Sequence, residues 1–376
     1  MEKTDIIIVG AGIVGLAIAS RIGREDKDVV LVERHPDFGQ EISSRNSEII
    51  HSGIYYPESS LKAKLCVEGK KLLYQLCKEQ NITHKRLGKL IVATNDAEAE
   101  DLEKLFSQGK NNGVEDLNLL TEKEIKKLEP HLQATRAIHS PSTGIIDTHQ
   151  LMRHLESLAK DKGVMFAYNC EVIGIEKKKG GYEIHIYDAD GERLTLFTQV
   201  LINSTGLHSD KIAQMIGIDI KKAGYKLHYS KGEYFRVKPG KSGFISQLVY
   251  PVPEKTSLGI HTVTDLQGEL KLGPSAFYVE EINYDVDPSH KLKFYESTKK
   301  FLPFIELDDL TPDMAGIRPK LQGPDEITKD FVICHEEEKG FPGLINLIGI
   351  DSPGLTASLA IARYIKSIII SFIDNA

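Results

Sequence analysis

The chain has 376 residues, 41% of them hydrophobic and 27% charged, with a formal net charge of -7. That length supports a large layered core or two domains, and the acidic balance argues against nucleic acid, whose phosphates demand clustered cations. Four scattered cysteines, Cys66, Cys77, Cys170 and Cys334, form no Cys-x-x-Cys pair and no ligand spacing with histidine, so reduced thiols and no metal site are expected.

The residues MEKTD lead directly into an apolar run with no basic leader, from which a cytoplasmic location is expected. TDIIIVG, Thr4 to Gly10, is β-branched and ends in glycine, as in a strand buried on both faces of a parallel sheet. AGIVGLAIASRIGRE, Ala11 to Glu25, reads as a helix and DVVLVER, Asp28 to Arg34, as a second strand, which makes a βαβ unit. From Ser60 to Gln80, Leu61, Leu65, Leu72, Leu73 and Leu76 recur near helical spacing behind the capping candidates Ser59 and Ser60. GKLIVAT (88–94) predicts a strand, residues 96–113 a polar helix, and TEKEIKKLEP a short helix with a Thr121/Glu124 capping box and a proline stop. An amphipathic helix is predicted over Asp147 to Gly163, followed by VMFAYNCEVIGIEK and a hairpin, GYEIHIYDADGERLTLFTQ, turning at Asp190 and Gly191. VLINSTG, Val200 to Gly206, reads as a further buried strand. Alternation from Tyr225 to Leu272 predicts an antiparallel sheet.

After a charged helix near Pro288 to Lys300 come the strands in MAGIRPKL, FVICH and LINLIGI, and a closing helix starting around Asp351 to Gly354. Arg363 and Lys366 inside its apolar stretch, Leu355 to Ile373, argue against a membrane span. Packing on the sheet is expected, with peripheral membrane contact as the alternative. The order fits an α/β (α+β overall) architecture: a Rossmann-type domain of residues 1–85, 142–222 and 312–376, interleaved with a mostly antiparallel-sheet domain of residues 86–141 and 223–311.

Gly10, Gly12 and Gly15 form Gly-x-Gly-x-x-Gly between strand and helix. The first glycine permits a tight turn, the second a close pyrophosphate, the third close helix packing. Glu33 follows about 20 residues on, where a carboxylate can accept both ribose hydroxyls; its neighbour Arg34 leaves a phosphorylated ribose open. A nicotinamide enzyme and a flavoprotein share this fingerprint. No second one exists for a separate nicotinamide site, whereas the small residues of INSTGLHSD (202–210) can crowd the same cofactor. The helix start in GIDSPGLTAS can stabilise negative charge on a reduced flavin, or be a capped core helix.

The fingerprint, NSTG, AGIRPKL and SPGLTAS resemble the FAD-dependent D-amino-acid oxidase-like superfamily. Within it, HSGIYYPESSLKAKLCVEGKKLLY, GKLIVAT, TGIIDTHQL, YPVP, LGIHT and LGPSA are similar to the L-2-hydroxyglutarate dehydrogenase/oxidase family, nearly end to end. The resemblance implies non-covalent FAD, oxidation of L-2-hydroxyglutarate to 2-oxoglutarate, and a quinone or oxygen as electron acceptor. It implies that Gly10, Gly12, Gly15, Glu33 and Arg34 hold the adenosine diphosphate half. Ser44, Arg45, Asn46 and Ser47 would line the ribityl and pyrophosphate region, and Val172, Thr205 and Gly206 would approach the cofactor. His51 and Gly53 would sit against the isoalloxazine, with Arg318, Ser352, Gly354, Leu355 and Thr356 closing the site. Two departures stand out: RNSE (45–48) where relatives have His-Asn-Ser-Gly, and Lys231 in KGEY where arginine is usual. An ammonium cannot reproduce a guanidinium fork, so a Lys231 in contact with substrate would alter carboxylate selectivity.

Oxidising a secondary alcohol at flavin needs a base for the hydroxyl proton, and a neutral histidine suits that role. His51 is the candidate base or hydroxyl anchor; His261 is the rival, and either can instead be a packed structural histidine. Arg318 can grip one carboxylate in a bidentate pair. Lys62 and Lys64 can meet a second one, or form the solvated face of a basic helix continuing to Lys70 and Lys71. Tyr55, Tyr56 and Tyr250 are candidate hydroxyl donors or core residues, and HEEEK (335–339) reads as an exposed turn. Glycerol 3-phosphate oxidation, glycine- or sarcosine-type amine oxidation and a non-catalytic flavin-binding partner are the competing functions.

Overall fold

The computed structural model describes residues 2–23, 27–253 and 258–374. Arg24 and Glu25, the expected end of the first helix, and residues 254–257 of the alternating region lie outside the described residues.

The strand Glu2–Val9 sits inside the largest sheet, parallel to Val29–Val32 on one side and to Arg193–Asn203 on the other. Met165–Ala167 and Leu344–Ile348 extend it in parallel, and Val332–His335 adds an antiparallel edge. Alternate side chains enter two cores: Ile6 and Ile8 meet Leu16, Ile18 and Ile361, while Ile7 and Val9 meet Ile212 and Ile216. This two-sided burial is why these strands read as unbroken apolar runs. The hairpin arm and the separate strand predicted on either side of Val200 are one strand, Arg193–Asn203. No glycine, proline or turn residue interrupts it. It runs antiparallel to Gly181–Tyr187 and continues in parallel with Leu344–Ile348.

A second, five-stranded antiparallel sheet is centred on His228–Val237, with Leu310–Lys320 along one side. Leu310–Lys320 crosses the expected boundary at residue 312 and carries Arg318. The region from Tyr225 to Leu272 does not form a single antiparallel sheet as expected. Leu248–Pro251, buried at all four positions, instead pairs in parallel with Lys89–Ala93 in a four-stranded sheet completed by Arg136–Ser140 and Asn118–Thr121. A strand buried on both faces carries no alternation that would specify an antiparallel partner. The two sheets share a core of Leu90, Val92, Phe235, Leu270 and Phe294. HEEEK also differs from expectation, since Glu336 is fully buried and accepts from the Tyr225 hydroxyl at 2.8 Å and Asn346 Nδ2 at 2.9 Å.

Residues 354–372 form the one helix among the described residues long and apolar enough to cross a membrane. It packs on Ile13–Ile22 and Leu61–Gln80 through Ala357, Ala360, Ile361 and Ile365. Gly69 permits that contact: a Cβ there would lie 2.2 Å from the Thr356 carbonyl oxygen and 2.8 Å from Ala357 Cα. Both obstacles are backbone, so Gly69→Val must push the helices apart. Overpacking of this kind costs about 1–3 kcal/mol or more. The variant's thermal midpoint is expected to fall by several degrees; a midpoint equal to the parent's would show that the helices do not depend on this approach.

Candidate active site

One cavity of about 770 Å³ runs from the nucleotide fingerprint to His51, His261 and Arg318. At the fingerprint, Gly10 adopts φ +103°, and a Cβ there would lie 2.8 Å from the Ser204 carbonyl oxygen. Gly15 packs so closely that its Cβ would fall 1.9 Å from the Gly10 oxygen. Gly12, Ile13 and Val14 at the helix start line the cavity, so the positive end of the helix faces it. Glu33 accepts from the Ala11 N–H at 2.7 Å and the His35 N–H at 2.9 Å, which fixes its carboxylate at the cavity wall with lone pairs to spare. Arg34 pairs with Glu41 and meets His208 Nε2 at 2.7 Å. Burial alone would raise the Glu41 pKa; His208 and Arg34 overcome it and hold the carboxyl at about 2.

His51 is held at the other end by the start of the C-terminal helix. Thr356 Oγ1 accepts from the His51 N–H at 3.0 Å and donates to the Ile49 carbonyl at 3.1 Å. His51 Nε2 stands 3.4 Å from Ser352 Oγ, while Nδ1 is buried without a hydrogen-bond partner among the described residues. Burial, reinforced by Lys89 and His261, holds the ring well below the usual histidine pKa. His261 is brought down to about 3, mainly by burial and against its hydrogen bond to the Gly259 carbonyl at 2.8 Å, with Lys89 and Arg318 adding to the fall. That hydrogen bond places its proton on Nδ1 and leaves Nε2 as an acceptor. Its ring stacks on Tyr250, with centroids 3.6 Å apart. The Tyr55 and Tyr250 hydroxyls are buried without partners among the described residues, and burial pushes both phenols well above 10, so they stay protonated donors.

Asp351 pairs with Lys62 at 2.7 Å and Lys320 at 3.4 Å. Burial alone would raise the Asp351 pKa; the two ammonium groups more than reverse it. Arg318 lines the same cavity and adds to the fall of the Asp351 pKa, but makes no ion pair among the described residues. An unpaired guanidinium beside orphaned hydroxyls and an imidazole is a site built for an anion that carries its own hydrogen-bonding groups.

The cavity brings together Gly10, Gly12, Glu33, Arg34, Arg45, Asn46, Ser47, Val172, Thr205, Gly206, Ser352, Gly354 and Leu355 of the predicted cofactor set, and Tyr55, Tyr56, Lys62 and Tyr250 of the substrate set. It leaves out Gly15 and Gly53, which serve packing and a positive-φ turn, and Ser44, whose hydroxyl donates to the Gly39 carbonyl. Thr356 acts from behind His51. Lys64 is exposed and away from the cavity. Lys62 faces no solvent, being 4% exposed and bound to Asp351. Lys231 is turned away onto the Asp285 carbonyl and Glu233, so its exchange for arginine does not reach the cavity. Lys320, Tyr234 and Lys89 escaped the sequence reading. Tyr234, bonded to Ser47 Oγ at 2.7 Å, carried no signal beyond strand alternation.

A family model described as FAD dependent oxidoreductase matches residues 5–368. The chain belongs to that family. It is a flavoenzyme whose cofactor is FAD, and the glycine cradle, the anchored Glu33 and the helix N-terminus fit the nucleotide half of that group. The L-2-hydroxyglutarate dehydrogenase, mitochondrial, of Arabidopsis thaliana is 38% identical over 97% of this chain and 83% of its own length. The Homo sapiens protein of the same name is 31% identical over 96% and 87%. Among solved structures, FAD-bound L-alpha-glycerophosphate oxidase from Mycoplasma pneumoniae superposes with a TM-score of 0.84 at 28% identity, covering 96% of this chain and 94% of its own. Glycine oxidase from Geobacillus kaustophilus, at 20% identity over 99% and 95%, shares the fold with a TM-score of 0.79. Both hydroxyglutarate relatives are mitochondrial by name, in contrast to the cytoplasm expected from the opening residues.

Glu33→Ala removes the acceptor fixed beside the fingerprint and is expected to weaken FAD binding about tenfold or more. FAD released on dialysis measures it; retention equal to the parent's would remove Glu33 from the nucleotide site.

Proposed function

We propose that this enzyme oxidises L-2-hydroxyglutarate to 2-oxoglutarate, with His51 as base and Arg318 as the anchor for the carboxylate next to the reacting carbon. The observation that carries the reading is the pairing, in one cavity, of a neutral imidazole whose Nδ1 has no hydrogen-bond partner among the described residues with a guanidinium that makes no ion pair among them. The names of the full-length relatives support the substrate. Bound FAD supplies a two-electron acceptor for the hydride of the carbinol carbon. Arg318 orients the substrate through a fork that fits a carboxylate. His51, kept neutral by burial, accepts the hydroxyl proton at neutral pH without first losing one of its own. His261 Nε2 presents a second acceptor, and we assign it to orienting the hydroxyl. Electrons pass on to a quinone or to oxygen. The free cysteines fit a reducing compartment.

The glycerophosphate oxidase neighbour favours a second reading, oxidation of glycerol 3-phosphate. A phosphate dianion calls for more than one free cation in direct reach; of the described cations at this end of the cavity Lys62 and Lys320 are committed to Asp351 and Lys89 does not line it, which leaves Arg318. Mixed anaerobically with the FAD-loaded enzyme, L-2-hydroxyglutarate is expected to bleach the flavin absorbance and its D enantiomer to leave it intact. Bleaching by glycerol 3-phosphate or glycine instead would replace the substrate. His51→Gln is expected to slow flavin reduction about 10²–10⁴-fold with FAD still bound; reduction at the parental rate would end the assignment of His51 as base.

A further inference from the structure

Lys89 opens the strand Lys89–Ala93 and is 1% exposed, yet its ammonium has no carboxylate or hydrogen-bond partner among the described residues. Its Nζ lies over two ring faces, 4.4 Å from the Tyr55 centroid and 4.7 Å from that of Tyr250. Cation–π contact offsets part of the desolvation of an ammonium, but an apolar side chain would fill the same space without that cost. The two rings stack with centroids 6.3 Å apart and line the cavity, whereas Lys89 does not. The tyrosines therefore form a wall with a cation behind it, and their hydroxyls are orphaned. Of the two cations that act on His261, Arg318 stands in the cavity and Lys89 behind this wall.

We infer that Lys89 is a positioning residue that makes the Tyr55–Tyr250 wall a receptor for the second carboxylate of a dicarboxylate substrate. The inference rests on the hydroxyglutarate reading and adds how the end of the substrate away from the reacting carbon is chosen. The two phenol hydroxyls donate to that carboxylate, and the ammonium behind the rings supplies the opposite charge through a low-dielectric layer. A hydroxyacid with an apolar end leaves the hydroxyls and the cation unanswered, which rejects it.

The wall also acquires a pH dependence. Burial brings Lys89 down to about 7. The groups facing it are neutral near pH 7: His51 and His261 lie far below it, Tyr55 and Tyr250 far above it, and Cys66 is pushed up by burial to about 12. Lys89 is thus the group among them that changes charge there. As pH rises through about 7 the ammonium loses its proton and affinity for a dicarboxylate falls; a bound carboxylate in turn favours the protonated form.

The test compares 2-oxoglutarate with 2-oxobutyrate, its counterpart without the second carboxylate, as ligands of the oxidised FAD-loaded enzyme between pH 6 and 9. In the parent, 2-oxoglutarate affinity is expected to fall about tenfold across that range and 2-oxobutyrate affinity to change little. Lys89→Met is expected to lower the preference for the dicarboxylate about ten- to a hundredfold and flatten its pH profile, and Lys89→Arg to restore the preference without the titration near 7. Equal pH profiles for the two ligands in the parent would overturn the inference even if Lys89→Met fails to fold. Lys89→Met with undiminished discrimination would do the same. A parent enzyme not bleached by L-2-hydroxyglutarate overturns the underlying function instead.

Discussion

Removing a cation from water costs several kcal/mol unless an acid answers it, and that constraint organises the inner end of the cavity. Among the described residues, four carboxylates line the cavity: Glu33, Glu41, Glu171 and Asp351. Glu33 and Glu41 belong to the nucleotide end, and Glu171 follows Cys170, whose N–H is bonded to the Glu33 carbonyl at 2.8 Å. Among the described residues, that leaves Asp351 to face Lys62, Lys320 and Arg318; it pairs with the two ammonium groups and feels Arg318 only as a charge beyond ion-pair distance, while Lys89 has no ion pair. On the proposed reading this excess positive charge prepares the site for an anion, and it adds to the burial that holds the histidines neutral.

The fold places these groups by bringing distant segments to one point. Thr356, at the start of the C-terminal helix, ties His51 to Ile49, and Gly69 lets that helix approach the one carrying Lys62. Leu310–Lys320 carries Arg318 and Lys320 alongside His228–Val237, and the parallel pair Lys89–Ala93 and Leu248–Pro251 sets Lys89 beside Tyr250. The nucleotide half, by contrast, is centred on the first βαβ unit, with segments near Glu41, Val172 and Thr205 completing its walls. The two halves of the site therefore depend on different parts of the chain, and a change at Glu33 and one at Lys89 are separable.

That difference explains what could be read from the residues alone. The places of Gly10, Gly12 and Glu33 at the cavity are legible because they are encoded in local spacing: a turn, a helix start and the end of the next strand. His51 and Arg318 were found through the resemblance of their surrounding strings, and the cavity places them together. Lys89 was not found, because a lysine at the head of GKLIVAT reads as a solvated strand terminus. Its burial follows from pairing with Leu248, more than 150 residues away. Lys62 and Lys64 look alike in sequence, yet one is buried on Asp351 and the other exposed, a distinction set by which helix face meets the C-terminal helix. The join at Val200 and the parallel pairing of Leu248–Pro251 were missed for the same reason: short apolar runs specify burial but not their partners.

The most direct test of an anion site built from unanswered cations is a crystal structure of the FAD-loaded enzyme with 2-oxoglutarate. The account predicts the carboxylate next to the keto group forked onto Arg318 at about 3 Å, the keto oxygen within hydrogen-bond reach of His51, and the second carboxylate on the Tyr55 and Tyr250 hydroxyls. A ligand whose carboxylates avoid both Arg318 and the tyrosine wall would contradict it.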